Sequence, residues 1–316
     1  ADPATGEIPT DVRVRELAFA KKMPGALSRI RKGELAQEFG SFKQMGPYNI
    51  GGRTRAWTLD VNDPEHMLAA GISGGMWNSN DGGDTWTFVT EPDQLHNITC
   101  LTQDTREGKT NNWYYGTGEA WGNSARITGN GLWKSTDNGA TWSHLESTAT
   151  QRVPAAHPFA YAWNIVTDPV QNRDIVLVAT ARAGIHRSTD GGETWNGVLT
   201  SNSYFSDLVV TPDGIYYATL SAFNGFTGQT AARYGVFRSI DGENWVDITP
   251  ADLPTSFQRG VIGLVPGSNK FYMIAETPGV GTKSTRILRS GDREEWHKFW
   301  TYEFVGGDGS GEGGVW

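Results

Sequence analysis

The chain has 316 residues, a formal net charge of −8, thirteen Trp, thirteen Phe, ten Tyr and forty Gly. Aromatic bulk for a core with glycine for turns is the balance of many short strands, and the acidic surface argues against nonspecific attraction to nucleic-acid phosphates. The single cysteine, Cys100, excludes an internal disulfide and a cysteine-based zinc cluster, and no stretch approaches the ~20 consecutive apolar residues of a membrane helix.

Residues 1–45 read as a first unit. Asp11 to Phe39 is rich in Arg and Lys, with helix formers on either side of Pro24-Gly25, so two short helices broken at that pair are expected, packed across the body with solvated basic faces. From 46 to 304 the pattern changes to short alternating runs. The first four are RAWTLDV, HMLAAGI, GMWNSN and TWTFVT; the next are ITCLTQD, NWYYGTG, GLWKST and TWSHLE. A third group gives AWNIVTD, DIVLVATA, GIHRST and TWNGVL, a fourth SDLVVTP, IYYATLS, GVFRSI and NWVDIT, and a fifth VIGLVPG, FYMIAET, RILRSG and EWHKFW. Residues 305–316 form a Gly-rich tail whose closing GGVW echoes GGMW and suits the start of a further strand.

One phrase joins the third and fourth runs of every group: SNDGGDTW, STDNGATW, STDGGETW, SIDGENW and SGDREEW. Its serines, at 79, 135, 188, 239 and 290, recur every 51 to 56 residues, which marks a repeat protein. A serine hydroxyl and an aspartate two residues on both bond the backbone of a tight turn, and the following glycine accepts positive φ. The tryptophan offers an apolar face for packing between neighbouring repeats. Four-stranded units of this length are the blades of an all-β propeller, five of them visible and a larger ring still open.

The phrase resembles the Asp-box, or BNR repeat, of sialidases, xyloglucanase-type glycoside hydrolases, sortilin-type receptors and secreted bacterial propellers. Three copies match S-x-D-x-G-x-x-W in full; the last two are one residue shorter, and SGDREEW lacks the glycine. The resemblance implies that Asp81, Asp137, Asp190, Asp241 and Asp292 hold turns, and that the protein is secreted or placed on the cell surface. GPYNIGGR, at 46–53, is similar to the opening of secreted bacterial proteins of this type, many of which end in a sorting domain.

In a four-stranded blade the boxes lie on one face of the disc, and ligands usually meet the other, built from the loops between strands two and three and from the connections between blades. Those loops are unequal. Blades two, four and five insert Glu119–Asn130, Ala222–Tyr234 and Glu276–Arg286. Trp121, Phe223 and Phe226 are candidate stacking platforms, with Arg126, Arg152, Arg182 and Arg233 as charged donors. Glu119 and Glu276, each just after a second strand, are the candidate acid–base pair of a hydrolase. Against that role, the resemblance to xyloglucanase-type enzymes would place a catalytic aspartate where Ile72 stands in AAGISGG, and the Arg-Ile-Pro of sialidases is absent. Arg53 and Arg55 read as part of a close-packed GGR turn, and His157 as structural. Asp308, Ser310 and Glu312 in GGDGSGE have some likeness to a calcium loop but lack the ligand count of an EF-hand, so an acidic linker and no cofactor are expected.

The expected function is therefore a secreted or surface propeller that binds a glycan or a surface protein through its loop-rich face without catalysis. Two alternatives stand beside it: a glycoside hydrolase of extracellular glycans, and a structural part of a surface or secretion assembly. Neither nucleic acid nor a membrane span enters the expectation.

Overall fold

A computed structural model describes residues 52–91, 94, 96–120, 127–149, 157–223, 229–251, 253, 255–265 and 271–278, the backbone of 282–290 and 296–305, and Arg15, Ala18, Phe19 and Lys22. Arg15, Ala18 and Phe19 are helical. The remainder of residues 1–45, the stretch 41–51 and the tail 306–316 with Asp308, Ser310 and Glu312 lie outside the described residues.

The body is five four-stranded antiparallel meanders in which each strand pairs with the next in sequence. Blade one holds β1 (Thr54–Leu59), β2 (Met67–Gly71), β3 (Gly75–Ser79) and β4 (Thr87–Phe88). Blade two holds β5 (Ile98–Gln103), β6 (Trp113–Thr117), β7 (Leu132–Ser135) and β8 (Ser143–His144); blade three, β9 (Ala162–Thr167), β10 (Val176–Thr180), β11 (Gly184–Ser188) and β12 (Asn196–Leu199). Blade four holds β13 (Ser206–Val210), β14 (Tyr216–Leu220), β15 (Gly235–Ser239) and β16 (Val246–Asp247); blade five, β17 (Gly260–Leu264), β18 (Phe271–Pro278), β19 (Thr282–Ser290) and β20 (Trp296–Val305). Two boundaries depart from expectation. The fourth strands of blades one to four begin only after the tryptophan, because the indole stays in the turn. In blade five β18 runs through Glu276, which pairs with Thr285, so Glu276 sits inside a strand rather than in a long loop.

The recurring turn is built as its chemistry requires. Ser79 Oγ donates to Asp81 Oδ1 (2.8 Å) and accepts from Gly83 N (2.9 Å), while Asp81 Oδ1 accepts from Thr85 N (2.9 Å). Asp137 and Asp190 repeat these bonds with Thr141 and Thr194. In the shorter fourth copy Asn244 replaces the threonine, its Nδ2 donating to Asp241 Oδ2 at 2.8 Å. Asp292 lies outside the described residues. The indole N–H groups of Trp86, Trp142 and Trp195 donate to the carbonyls of Gly83, Gly139 and Gly192.

The tryptophans of the second, third and fourth turns pack as expected, each against the preceding blade, whereas Trp86 of blade one is 38 % exposed. Trp142 is in the core shared by blades one and two, Trp195 in that of blades two and three, and Trp245 in that of blades three and four. The turn glycine lets this happen. At Gly139 φ is +83° and a Cβ would come within 2.6 Å of Leu68 Cδ1 in blade one, so only glycine allows the approach.

Side chains paired across a sheet share one face, and one such row in each blade meets its predecessor. Leu101, Tyr115 and Trp133 of blade two pack on Ala56, Leu68 and Met76 of blade one; Ile165 and Val178 pack on blade two; Leu208, Ala218 and Phe237 pack on blade three. In blade one the corresponding row is Trp57, Ala69, Trp77 and Phe88, and its large members are 57 %, 40 % and 41 % exposed.

On the turn-bearing face polar links join adjacent blades. Asp60, after β1, accepts from Gln103 Nε2 (2.9 Å) and from Asn138 Nδ2 (2.7 Å) in the turn of blade two. Burial pushes its carboxyl up, but hydrogen bonds from Gln103, Asn62, Asn138 and His66 outweigh this and hold it at about 2. Arg106 reaches from Asp104 to Asp174 (2.7 Å) in blade three, and Arg173 from Asp168 to the Gly214 carbonyl (3.1 Å) in blade four.

Candidate functional site

The opposite face is formed where second strands end and first strands begin. In four blades the residue after the second strand donates its N–H to the carbonyl of a residue just before the first: Ile72 to Arg53, Gly118 to Asn97, Ala181 to Tyr161 and Ser221 to Phe205. This fixes every second-to-third loop beside an inter-blade connection. Gly118 is needed for the fit, because at φ +103° a Cβ there would stand 2.1 Å from the Ala160 carbonyl.

Glu119 follows at once. It is buried, its backbone pairs with Ile127, and its carboxylate forms an ion pair with Arg53, whose side chain is 42 % exposed. The next residue, Ala120, offers its carbonyl to the hydroxyl of Tyr204 from the connection before β13. Tyr204 is the hub of this face. Its ring meets Phe205 (4.9 Å between centroids), Phe223 (6.3 Å) and Trp163 (6.5 Å), and its carbonyl accepts from Trp163 Nε1 (2.9 Å). The Arg182 guanidinium lies over both Tyr161 and Tyr204, at 5.6 and 5.3 Å. Arg182 also holds φ +75°, an unfavourable conformation for a side-chain-bearing residue, while its N–H donates to the Ser203 carbonyl (2.7 Å).

Two further arginines converge on Trp163. Arg55 in β1 and Arg259 just before β17 place their guanidinium carbons 5.6 and 5.3 Å from its ring centroid. Beside Trp163, Asn164 donates to Asp207 Oδ1 and Ile262 N donates to Asp207 Oδ2, both at 2.9 Å. Burial raises the Asp207 carboxyl, opposed by these bonds and by the charge of Arg259.

Of the residues singled out in the sequence, Glu119, Arg182 and Phe223 are thus brought together around Tyr204. Arg233 is not among them: it is exposed and lies over Phe237 (6.0 Å). Trp121, Arg126, Arg152, Phe226 and the side chain of Glu276 lie outside the described residues. Arg53, read as a turn residue, pairs with Glu119 as well as receiving the Ile72 N–H. His157 sits against Phe159 (6.0 Å), with burial lowering its pKa. Ile72, where the resemblance would place an acid, is buried. Among the described residues no group of three His, Cys, Asp or Glu is arranged to hold a metal. Cys100 is buried between blades two and three, and burial raises its thiol to about 12.

Sequence reasoning missed Tyr161, Trp163, Tyr204 and Arg259. Their signal was present: FAYAW and SYF put aromatic residues where an inter-blade connection enters a first strand.

No family model matches the chain. It is 28 % identical over 251 residues to a xyloglucanase of Acetivibrio thermocellus, covering 68 % of this chain and 28 % of that protein. With a xyloglucanase of Paenibacillus sp the identity is 29 % over 242 residues, covering 66 % and 22 %. The chain therefore spans less than a third of the length of these curated relatives. Among solved structures, an ancestral GH74 enzyme superposes with a TM-score of 0.52 at 14 % identity, covering 78 % of this chain and 33 % of that one. The extracellular domain of a putative hybrid two component system from B. thetaiotaomicron gives 0.51 at 10 % identity, covering 82 % and 30 %. Both likenesses concern the fold alone, and with the five sheets they make this chain an all-β propeller of four-stranded blades.

Proposed function

We propose that the face centred on Tyr204 binds an extracellular polysaccharide, and that the turns on the opposite face are Asp-boxes with a purely structural task. The observation that carries this is the contiguous cluster of Trp163, Tyr161, Tyr204 and Phe223, edged by Arg182 and the Arg53–Glu119 pair. Sugars are recognised by aromatic faces together with a few fixed polar groups, and Trp163 and Phe223 are partly exposed in this cluster. The strained backbone of Arg182 points the same way, since such strain gathers at functional positions. The xyloglucanase names of the relatives support a glycan ligand and, with it, export from the cell.

Affinity electrophoresis through gels containing xyloglucan and a panel of other polysaccharides tests the proposal. Retardation by at least one polymer, weakened tenfold or more by Trp163→Ala or Phe223→Ala, is expected. Free migration through every polymer would refute it.

A second reading, hydrolysis, is favoured by the activity in the relatives' names. It would use Glu119 and Glu276 as acid and base. Glu119 lies in an ion pair with Arg53, which would hold one member of that pair in place. Release of reducing ends that persists in the Glu119→Gln, Glu276→Gln double variant would remove this assignment.

A further inference from the structure

The second turn departs from its neighbours at one position. Where the first and third turns place Gly82 and Gly191, at φ +70° and +71°, this one places Asn138 at φ +60°, in a region that favours glycine. The side chain accounts for the exchange. Asn138 Oδ1 accepts from Trp113 Nε1 in β6 (2.8 Å), and its Nδ2 donates to Asp60 Oδ2 in blade one (2.7 Å). Both partners fix the amide's orientation: an indole N–H only donates, and Asp60, whose carboxyl is held at about 2, only accepts.

Asn138 is followed by Gly139, and an Asn–Gly pair is the least hindered setting for spontaneous deamidation, because glycine has no Cβ to obstruct its own nitrogen. In that reaction the glycine nitrogen bonds to the asparagine Cγ and the Cγ–Nδ2 bond breaks, releasing ammonia. Water then opens the cyclic imide to aspartate or isoaspartate, with no oxidant or cofactor involved. In the folded protein both reacting groups are engaged. Gly139 N donates to Ser135 Oγ (2.9 Å), and the amide is held at both its ends across the junction. Parting blades one and two removes the hold on the amide. The product cannot rebuild the junction, since a carboxylate at position 138 would face the Asp60 carboxylate across the 2.7 Å that an N–H now bridges, and isoaspartate inserts a methylene into the turn's main chain. We infer that Asn138 is a latent self-modification site, silent while blades one and two are joined, and that its deamidation after they open makes the opening irreversible.

Three other Asn–Gly pairs begin at Asn130, Asn196 and Asn224, and Asn196, exposed at the start of β12, is the comparison site. Peptide mapping for aspartate and isoaspartate follows each pair in protein kept at mildly alkaline pH, either folded or in guanidinium chloride. Position 138 should change at least tenfold more slowly in the folded protein. After partial reaction in denaturant, the protein is diluted to refold and the native and non-native fractions are mapped separately. Molecules altered at 138 should be depleted at least tenfold from the native fraction, while those altered at 196 divide evenly, and this readout needs no variant. Asn138→Asp should refold to less than a tenth of the wild-type yield and Asn196→Asp to the full yield. Equal rates at 138 in the folded and unfolded protein would overturn the inference. So would an even division of molecules altered at 138, or a full refolding yield for Asn138→Asp.

Discussion

His186 shows how one buried side chain sets a pH dependence. It lies in β11 against Phe159 (5.1 Å between centroids), and burial, helped by the nearby charge of His157, lowers its pKa from 6.5 to about 4. The unfolded chain takes up a proton near 6.5 while the folded protein stays neutral down to about 4. Stability is therefore whole above 6.5 and falls as the pH drops through that window, by up to about 3 kcal/mol at ~1.4 kcal/mol per unit. Urea unfolding at pH 7 and 4.5 should show the loss in wild type and a smaller one in His186→Gln. A second window lies lower. At Asp190 burial raises the carboxyl, but the bonds from Thr194 and Ser188 prevail and bring it to about 2, so the turn's contribution is complete above the ordinary carboxylate pKa and lost towards pH 2. Asp190→Asn should flatten the acid limb of a stability profile below pH 4 without altering the limb near pH 5.5.

The turn is where two blades are locked together. Its serine and aspartate satisfy the local backbone, its glycine admits a leucine from the preceding blade, and its tryptophan covers the shared core. Gly139→Ala should cost about 2–4 kcal/mol, combining an unfavourable φ with a methyl group pressed against Leu68. Because the clash is with that one side chain, Gly139→Ala and Leu68→Ala together should destabilise by less than the sum of the two, as read from chemical denaturation. The aromatic row of blade one gives the converse case. Trp57, Trp77 and Phe88 occupy places that blades two to four fill with residues buried against a neighbour, and here they meet solvent.

Across the whole molecule, the apolar cores lie chiefly between neighbouring blades, so stability is close to a sum of interface terms along the stack. Leu177→Ala empties the centre of the core between blades three and four and should cost about 2–5 kcal/mol. Hydrogen exchange should then quicken most in β9–β16 and least in β1–β4. A uniform rise in every blade would show that the stack opens as one unit instead. The two faces divide the work. Polar links such as Asp60 to Asn138 and Arg173 to the Gly214 carbonyl tie blades together below, and the convergence of Trp163, Tyr204 and the arginines occurs above, where connections from different blades approach one another.

The sequence by itself determined the turn geometry, which depends on residues within eight positions of one another, and the all-β class and four-stranded units, which follow from the alternating runs and the 51- to 56-residue recurrence of the phrase. Strand boundaries were legible wherever alternation ended at Gly, Asp or Pro. They misled where a hairpin carried on through polar residues, as β18 does through Glu276. Glu119 was legible as a carboxylate after a strand, but its bond to Arg53 joins residues 66 apart, and no local pattern records that. The meeting of Arg55, Trp163 and Arg259 was decided only by the tertiary structure. These residues come from blades one, three and five, and only the curvature of the stacked sheets brings their side chains to one place.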